Sequence, residues 1–228
     1  LAERVAPHPR GSSQERAYRY IKARILDRRF PVSCRLRAQD LAQAMALSRT
    51  PVREALGRLE QEGLVSREGG WGFTVRGMSL ADVADLFEVR EALELRALSS
   101  AMRRLDARGL ARLRSLLDDS SAALASGRPA ESIRTARRFH YAIAQASGNA
   151  LLSQMLDGLN ERIHMVGLSI ARRYPQRPAE VLQENLALLA AIEQADAVRA
   201  ARLLRQHIRR SHSLLLQGEV LPIDSSTS

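Results

Sequence analysis

Two arginines and four polar residues set in apolar stripes are the parts of this 228-residue chain whose types and spacing can do chemistry. Arg49 and Arg53 stand one helical turn apart in the run Ser48-Arg49-Thr50-Pro51-Val52-Arg53-Glu54-Ala55-Leu56. A guanidinium offers a fork of donors that matches a guanine edge or a phosphate, so two forks at one helix end suit the major groove of DNA. The second group is dispersed. Arg90 interrupts the stripe Val83, Leu86, Phe87, Leu93, Ala97, and His140 interrupts Ile133, Ala136, Ile143, Ala144. Asn185 lies among Val181, Leu182, Leu188, Leu189 and Ile192, and His207 beside Leu203, Leu204 and Ile208. Buried polar groups need partners, so four of them imply an internal hydrogen-bond network or a ligand pocket. Taken singly each reads first as structural: Arg90 has Glu94 four residues on, and a lone histidine on a helix is commonly a satisfied core residue.

These residues need elements to position them. Ser48 caps a helix start, Pro51 falls in the first turn where its missing donor costs little, and Gly63 supplies a left-handed end. Val52, Ala55, Leu56 and Leu59 give that helix a buried stripe flanked by Arg49 and Arg53. Before it, Leu36 to Met45 reads as a second helix, joined by Ala46-Leu47, and Gln14 to Arg29 as a third. After it, Leu64 to Arg67, the tip Glu68-Gly69-Gly70-Trp71-Gly72, and Phe73 to Arg76 read as an antiparallel hairpin. The result is a winged helix-turn-helix over residues 1–76, with 1–13 flexible. A linker at 77–78 follows, and Ser79 with Asp82 makes a capping box. From there strand signals vanish. Periodicity predicts helices over Ser79–Leu105, Ala107–Ser126, Glu131–Ser147, Ala150–Arg173, Ala179–Gln194 and Ala197–Gln217. The fold class is thus mainly α, with an all-helical bundle over 79–218 and a flexible tail over 219–228.

Charge supports a nucleic-acid partner. The chain carries 35 Lys plus Arg against 25 Asp plus Glu, and the excess is uneven: 15 against 8 through Arg76, and 20 against 17 beyond it. A basic excess on the unit with the paired arginines is what phosphate binding requires, although the chain as a whole is rich in arginine. Cys34 is the only cysteine, which excludes an intrachain disulfide and a cysteine-based zinc framework. No run approaches a membrane span and the first residues lack a leader's apolar core, so a cytoplasmic protein is expected.

The run Ser48 to Leu56 resembles, residue for residue, the signature of the GntR family of bacterial transcription regulators. The remainder is similar to the family's FadR branch with its all-helical FCD-type effector domain. The resemblance implies that Arg49 and Arg53 contact operator DNA and that the wing tip reaches the minor groove. The DNA-facing set it implies is Arg35, Arg37, Gln39, Ser48, Arg49, Thr50, Arg53, Gly70 and Trp71. Cys34 stands where a turn glycine is usual, and Trp71 where a small or basic residue is. The resemblance further implies a homodimer on a palindromic operator, a repressor released by a small metabolite such as an organic acid. Many FCD domains hold zinc, nickel or a similar ion with an Asp and a His four apart and two later histidines. Here those positions are Ala136, His140, Asn185 and His207, so two of four ligands are missing and no metal cofactor is expected; His164, His212 and Glu184 are the remaining candidates for substitutes. The pocket then holds its effector directly through Arg90, His140, Asn185 and His207. Two other classes compete: a helical metal-assisted enzyme with a DNA-binding module, and an architectural DNA protein without effector. Against the enzyme, the sequence has no nucleophile elbow, phosphate loop or His-Glu-x-x-His.

Overall fold

The computed structural model describes residues 12–26, 29–68 and 72–217, which fall into two compact units divided between Met78 and Ser79. The segments expected to be flexible, 1–13 and 219–228, lie outside the described residues but for Ser12 and Ser13.

The first unit contains helices α1 (Ser13–Leu26), α2 (Ala38–Met45) and α3 (Arg49–Gln61), and strands β1 (Arg35–Leu36), β2 (Val65–Glu68) and β3 (Gly72–Val75). Ala17, Ile21, Val52, Ala55, Leu56 and Leu59 have no exposed surface and form the α1–α3 seam. Tyr18 fastens it. Its hydroxyl donates to Glu62 at 2.7 Å, Lys22 approaches the same pair, and Arg58 lies 3.7 Å over the ring. Both helices of the helix-turn-helix end alike, with a left-handed residue followed by a backbone bond to a carbonyl five residues back. At α3 this is Gly63 (φ 71), with Leu64 N–H on Leu59 O at 2.9 Å; at α2 it is Ala46 (φ 53), with Leu47 N–H on Ala42 O at 2.9 Å.

Three sequence expectations need correction here. Leu36 is not in a helix: Arg35 and Leu36 form a strand antiparallel to β3, opposite Thr74 and Phe73, and the sheet order is β1-β3-β2. Arg35 is exposed and Leu36 buried, on opposite faces of the strand, and α2 starts two residues later. Ser48 holds the extended N-cap backbone, φ −74° and ψ 163°, but its side chain makes no capping bond. Helix α1 ends at Leu26 rather than Arg29, with 27–28 outside the described residues. The left-handed residue near Cys34 is its neighbour Ser33 (φ 63).

The second unit is helical throughout its described length: α4 (Leu80–Ala101), α5 (Ala107–Ala125), α6 (Pro129–Ala146), α7 (Ala150–Arg173), α8 (Arg177–Glu193) and α9 (Ala197–Leu216). Caps fix most starts. Ser79 and Asp82 form a reciprocal box at 3.0 and 2.9 Å; Asp106, Asn149 and Asp196 accept from backbone N–H groups three residues on. The Asp106 cap also explains why α4 stops at Ala101, four residues before the expected Leu105: the intervening residues turn back through Arg104 N–H on Ala101 O to set up the next start. Helices α6 and α8 begin two residues earlier than expected, because Pro129 and Pro178 sit in the first turn, where proline is favoured, rather than in the connection. Helix α6 packs against α4, α5, α7 and α8, so its inward face is surrounded. Polar residues on that face can only be satisfied by neighbouring helices or by a ligand.

Candidate functional site

The first unit presents the start of α3 outward. Ser48, Arg49, Thr50 and Arg53 are exposed, as are Arg35, Arg37 and Gln39, while Val52, Ala55 and Leu56 are turned fully inward. Arg49 and Arg53 take part in none of the ion pairs among the described residues, whereas Arg58 pairs with Glu15 and Glu62 and Arg67 with Glu60. The free Ser48 hydroxyl and the unbonded N–H groups of the first turn point the same chemistry outward, since a helix N-terminus attracts phosphate. Gly70 and Trp71, expected at the wing tip, lie outside the described residues.

The second unit holds a partly open pocket of about 50 Å³ among α4, α6, α7, α8 and α9. Arg90, His140 and His207 lie on its wall together with Ala136. Asn185 does not: it has no exposed surface and stands behind His140, its Oδ1 3.2 Å from Nε2. Two further arginines that sequence reading passed over, Arg137 and Arg177, also line the wall. Arg137 was hidden beside the stripe residue Ala136. Arg177 sat in a stretch read as a connection, although Glu180 and Glu184, three and seven residues on, mark a shared helix face once the helix start is moved back to it.

These groups form two connected ionic centres. Glu94 Oε1 accepts from Arg90 Nε at 2.8 Å and Arg137 Nη1 at 3.1 Å, and its Oε2 lies 2.8 Å from His140 Nδ1. Glu184 accepts both Arg177 Nη groups, at 2.6 and 2.8 Å, and its Oε2 lies 2.7 Å from His207 Nδ1. The centres meet where the His140 and His207 rings stack at 4.9 Å and where Arg90 Nη2 approaches His207 Nε2 at 3.5 Å. The i, i+4 pair expected between Arg90 and Glu94 is therefore present, inside a larger network.

Burial and charge set the protonation states. Burial pushes Glu94 upward, but Arg90, His140 and Arg137 outweigh it and hold the carboxyl well below its ordinary value. Glu184 is held at about 2: burial again raises it, and bonds from His207 and Arg177 lower it further. Burial dominates for the bases. His140 is lowered despite Glu94, His207 falls to about 4 despite Glu184, and Arg137 falls to about 10. At neutral pH the site therefore holds ionised carboxylates, charged guanidiniums and uncharged imidazoles.

Residues 13–75 match the family described as bacterial regulatory proteins, gntR family, and residues 85–210 match the FCD domain. The repressor GlaR of Escherichia coli is 30% identical over 199 residues, covering 84% of this chain and 90% of that protein. The regulator YdhC of Bacillus subtilis is 29% identical over 148 residues, 64% of this chain and 66% of its own length. The solved structure of McbR/YncC from E. coli superposes with a TM-score of 0.77 at 26% identity, over 91% of this chain and 99% of that one. The exposed arginine pair on a winged helix-turn-helix and the charged cavity in a six-helix bundle thus have a shared context: the chain belongs to the GntR family, as a ligand-responsive DNA-binding transcription regulator whose second unit is an FCD domain.

Proposed function

We propose that this protein is a cytoplasmic, homodimeric repressor that a small organic anion releases from a palindromic operator, and that its effector pocket works without a metal ion. The reading is supported most by the cavity wall itself. At the four positions where the FCD resemblance implies metal ligands, Ala136 and Asn185 offer neither a carboxylate nor an imidazole. Both nitrogens of His140 already face Glu94 and Asn185, and both of His207 face Glu184 and Arg90. An ion bound there would have to displace a guanidinium and break both networks, so the residues present do not fit one. Among the described residues no group of three or more His, Cys, Asp or Glu is arranged as a metal site.

A two-fold protein matches a two-fold operator, and each protomer then sets one α3 in successive major grooves. The repressing role is supported by the name of the relative GlaR. In this reading the protein binds its small molecule without transforming it. No helix among the described residues is long and apolar enough to cross a membrane.

Elemental analysis of the dialysed full-length protein, run beside fluorescence anisotropy on its operator with and without small organic acids, tests the proposal. The expected result is sub-stoichiometric zinc and nickel and operator release by an acid. Tightly held stoichiometric metal would overturn the metal-free pocket, and tighter operator binding with the effector would overturn release.

A further inference from the structure

Helix α4 turns one side away from the bundle. Val83, Leu86, Phe87, Arg90, Glu94 and Ala97 are buried, while Ala81, Asp85, Glu88, Ala92, Arg96 and Ser99, at steps of three and four residues, are all exposed. Ala81, Ala92 and Ser99 are small, which lets a second helix approach closely. The charges on this side are not balanced within the chain. Asp82 caps α4, Glu91 holds Arg205 and Arg209, and Glu94 holds Arg90. Asp85, Glu88 and Arg96 take part in none of the ion pairs among the described residues. Asp85 and Glu88 stand one turn apart and repel each other, and Arg96 lies two turns beyond Glu88, about 12 Å along the axis. Exposed Arg202 of α9, also outside those ion pairs, adds to the Arg96 end. Because Glu91 meets Arg205 and Arg209 while Phe87 stacks on His212, α9 runs antiparallel to α4, and its first half lies beside the last half of α4. The outward side of α4 therefore runs from acidic to basic.

Both flanks of this side are open. Between α4 and α9 lies a groove of about 600 Å³, lined by Ala84, Glu88, Ala92 and Leu95 of α4 and by Arg209 and Ser213 of α9. On the other flank Val89 is 44% exposed and Leu93 is half-buried. There α7 adds to the apolar surface. Ser153 donates to Ala144 O and Asn160 accepts from Arg137, so that edge of α7 faces α6; half-buried Leu159 and exposed Met155, on the opposite edge, lie next to α4. An apolar strip of this kind, bordered by charges, marks a surface that another protein covers.

We propose that a second copy of this chain docks here, the two α4 helices running antiparallel about a two-fold axis that crosses them level with Arg90 and Glu91. Charge decides the direction. A parallel pairing would set Asp85 and Glu88 against their own copies, whereas the antiparallel pairing sets Asp85 level with the partner's Arg96, twice over. The same axis sets Val89 level with the partner's Ala92 and lays the apolar flank of each protomer against that of the other. The inference rests on the reading of the protein as a homodimer and adds to it the face, the direction and the paired residues.

Sedimentation equilibrium of the full chain, with circular dichroism to confirm folding, tests the pairing. Arg96→Glu and Asp85→Arg are each expected to weaken the dimer by about tenfold or more, since one change sets like charges together at both ends of the pair. Asp85→Arg combined with Arg96→Asp exchanges the charges and is expected to return the constant to within about threefold of wild type. Arg108→Glu, on the exposed side of α5, is expected to leave it unchanged. Ala92→Cys in a Cys34→Ser background alters no charge and is expected to be joined across the axis by a short bis-maleimide, whereas Ser115→Cys on α5 is not. A wild-type dimer indifferent to all the α4 charge variants, as it would be were the groove filled by the chain's own tail or by a different protein, would overturn this face and leave the homodimer reading intact. Single variants that dissociate without rescue by the exchange would overturn the antiparallel pairing. A wild-type chain that is monomeric at micromolar concentration, both free and on its operator, would overturn the homodimer reading as well.

Discussion

Replacing Glu94 with alanine should be among the most damaging single changes in the FCD domain. The side chain is 4% exposed and is the common acceptor for Arg90 at 2.8 Å and Arg137 at 3.1 Å, with His140 Nδ1 2.8 Å from its other oxygen. Removing one partner of a buried ion pair costs about 3–5 kcal/mol, mostly because the other charge is left without a counterpart. Two guanidiniums lose the same partner here, so the loss should lie near about 5 kcal/mol, at the upper end of that range. Glu94→Gln keeps the volume and one acceptor but not the charge, and should fall between alanine and wild type. The pH dependence follows from the lowered carboxyl. Since Glu94 titrates well below its ordinary value in the folded chain, its stabilisation is complete above the unfolded value of about 4.3 and is lost as pH falls through the folded value. Urea unfolding followed by far-ultraviolet circular dichroism at pH 7, on wild type, both variants and Glu94→Ala combined with Arg137→Met, gives the energies and the coupling. A Glu94→Ala loss below about 1 kcal/mol, the range of a solvent-exposed pair, would refute the argument that this network is desolvated and mutually dependent.

Arg49→Ala and Arg53→Ala should each weaken operator binding by about 1–3 kcal/mol without changing the melting temperature, since both side chains are exposed and outside the ion pairs among the described residues. Fluorescence anisotropy at fixed salt reads this, and log affinity should fall linearly with log salt as phosphate contacts release counterions. Tyr18→Phe keeps the ring beneath Arg58 but removes the hydroxyl that donates to Glu62 at 2.7 Å, so the first unit should lose about 1–2 kcal/mol; an unchanged denaturation midpoint would contradict the latch. His207 is held uncharged by burial, with its folded value near 4, so the unfolded chain takes up a proton before the folded one does. Stability should therefore be full above about pH 6.5 and decline as pH falls towards 4, and His207→Gln should flatten that part of the stability profile.

How much of this was legible in the sequence depended on whether a position answers to local or to distant partners. Helix α3 was readable because Pro51, the Val52-Ala55-Leu56-Leu59 stripe and Gly63 all act within or beside one element. Strand β1 was not: two residues cannot establish a period, and Leu36 is placed by Phe73, which the chain reaches only after two intervening helices. In the FCD domain, interruption of apolar stripes correctly singled out Arg90, His140 and His207, which line the cavity. The same rule overcounted Asn185, because a buried polar residue can support a wall residue as well as form the wall. It undercounted Arg137 and Arg177, whose burial is decided by α7 and α9 and by Pro178 lying within a helix rather than before one.

The distribution of these groups along α4 bears on how occupancy is reported. Phe87, Arg90 and Glu94 share one face of that helix: Phe87 and Arg90 line the cavity, and Glu94 ties Arg90 to α6 through Arg137 and His140. Phe87 stacks on His212 of α9 at 5.0 Å, so the same turn also faces the last helix. Helix α4 is capped by Ser79, the first residue after the DNA-binding unit. It is therefore the element that both touches the cavity and continues covalently into that unit. A ligand shifts a conformational equilibrium only by binding two arrangements with different affinity. A ligand that engages Arg90 or Arg177 would change the pull on Glu94 or Glu184, and α4, α6, α8 and α9 each carry a member of those two centres. On the proposed reading, a ligand that met only the apolar part of the wall would engage none of these pairs, so contact with one of the two ionic centres is what would carry the signal out of the pocket.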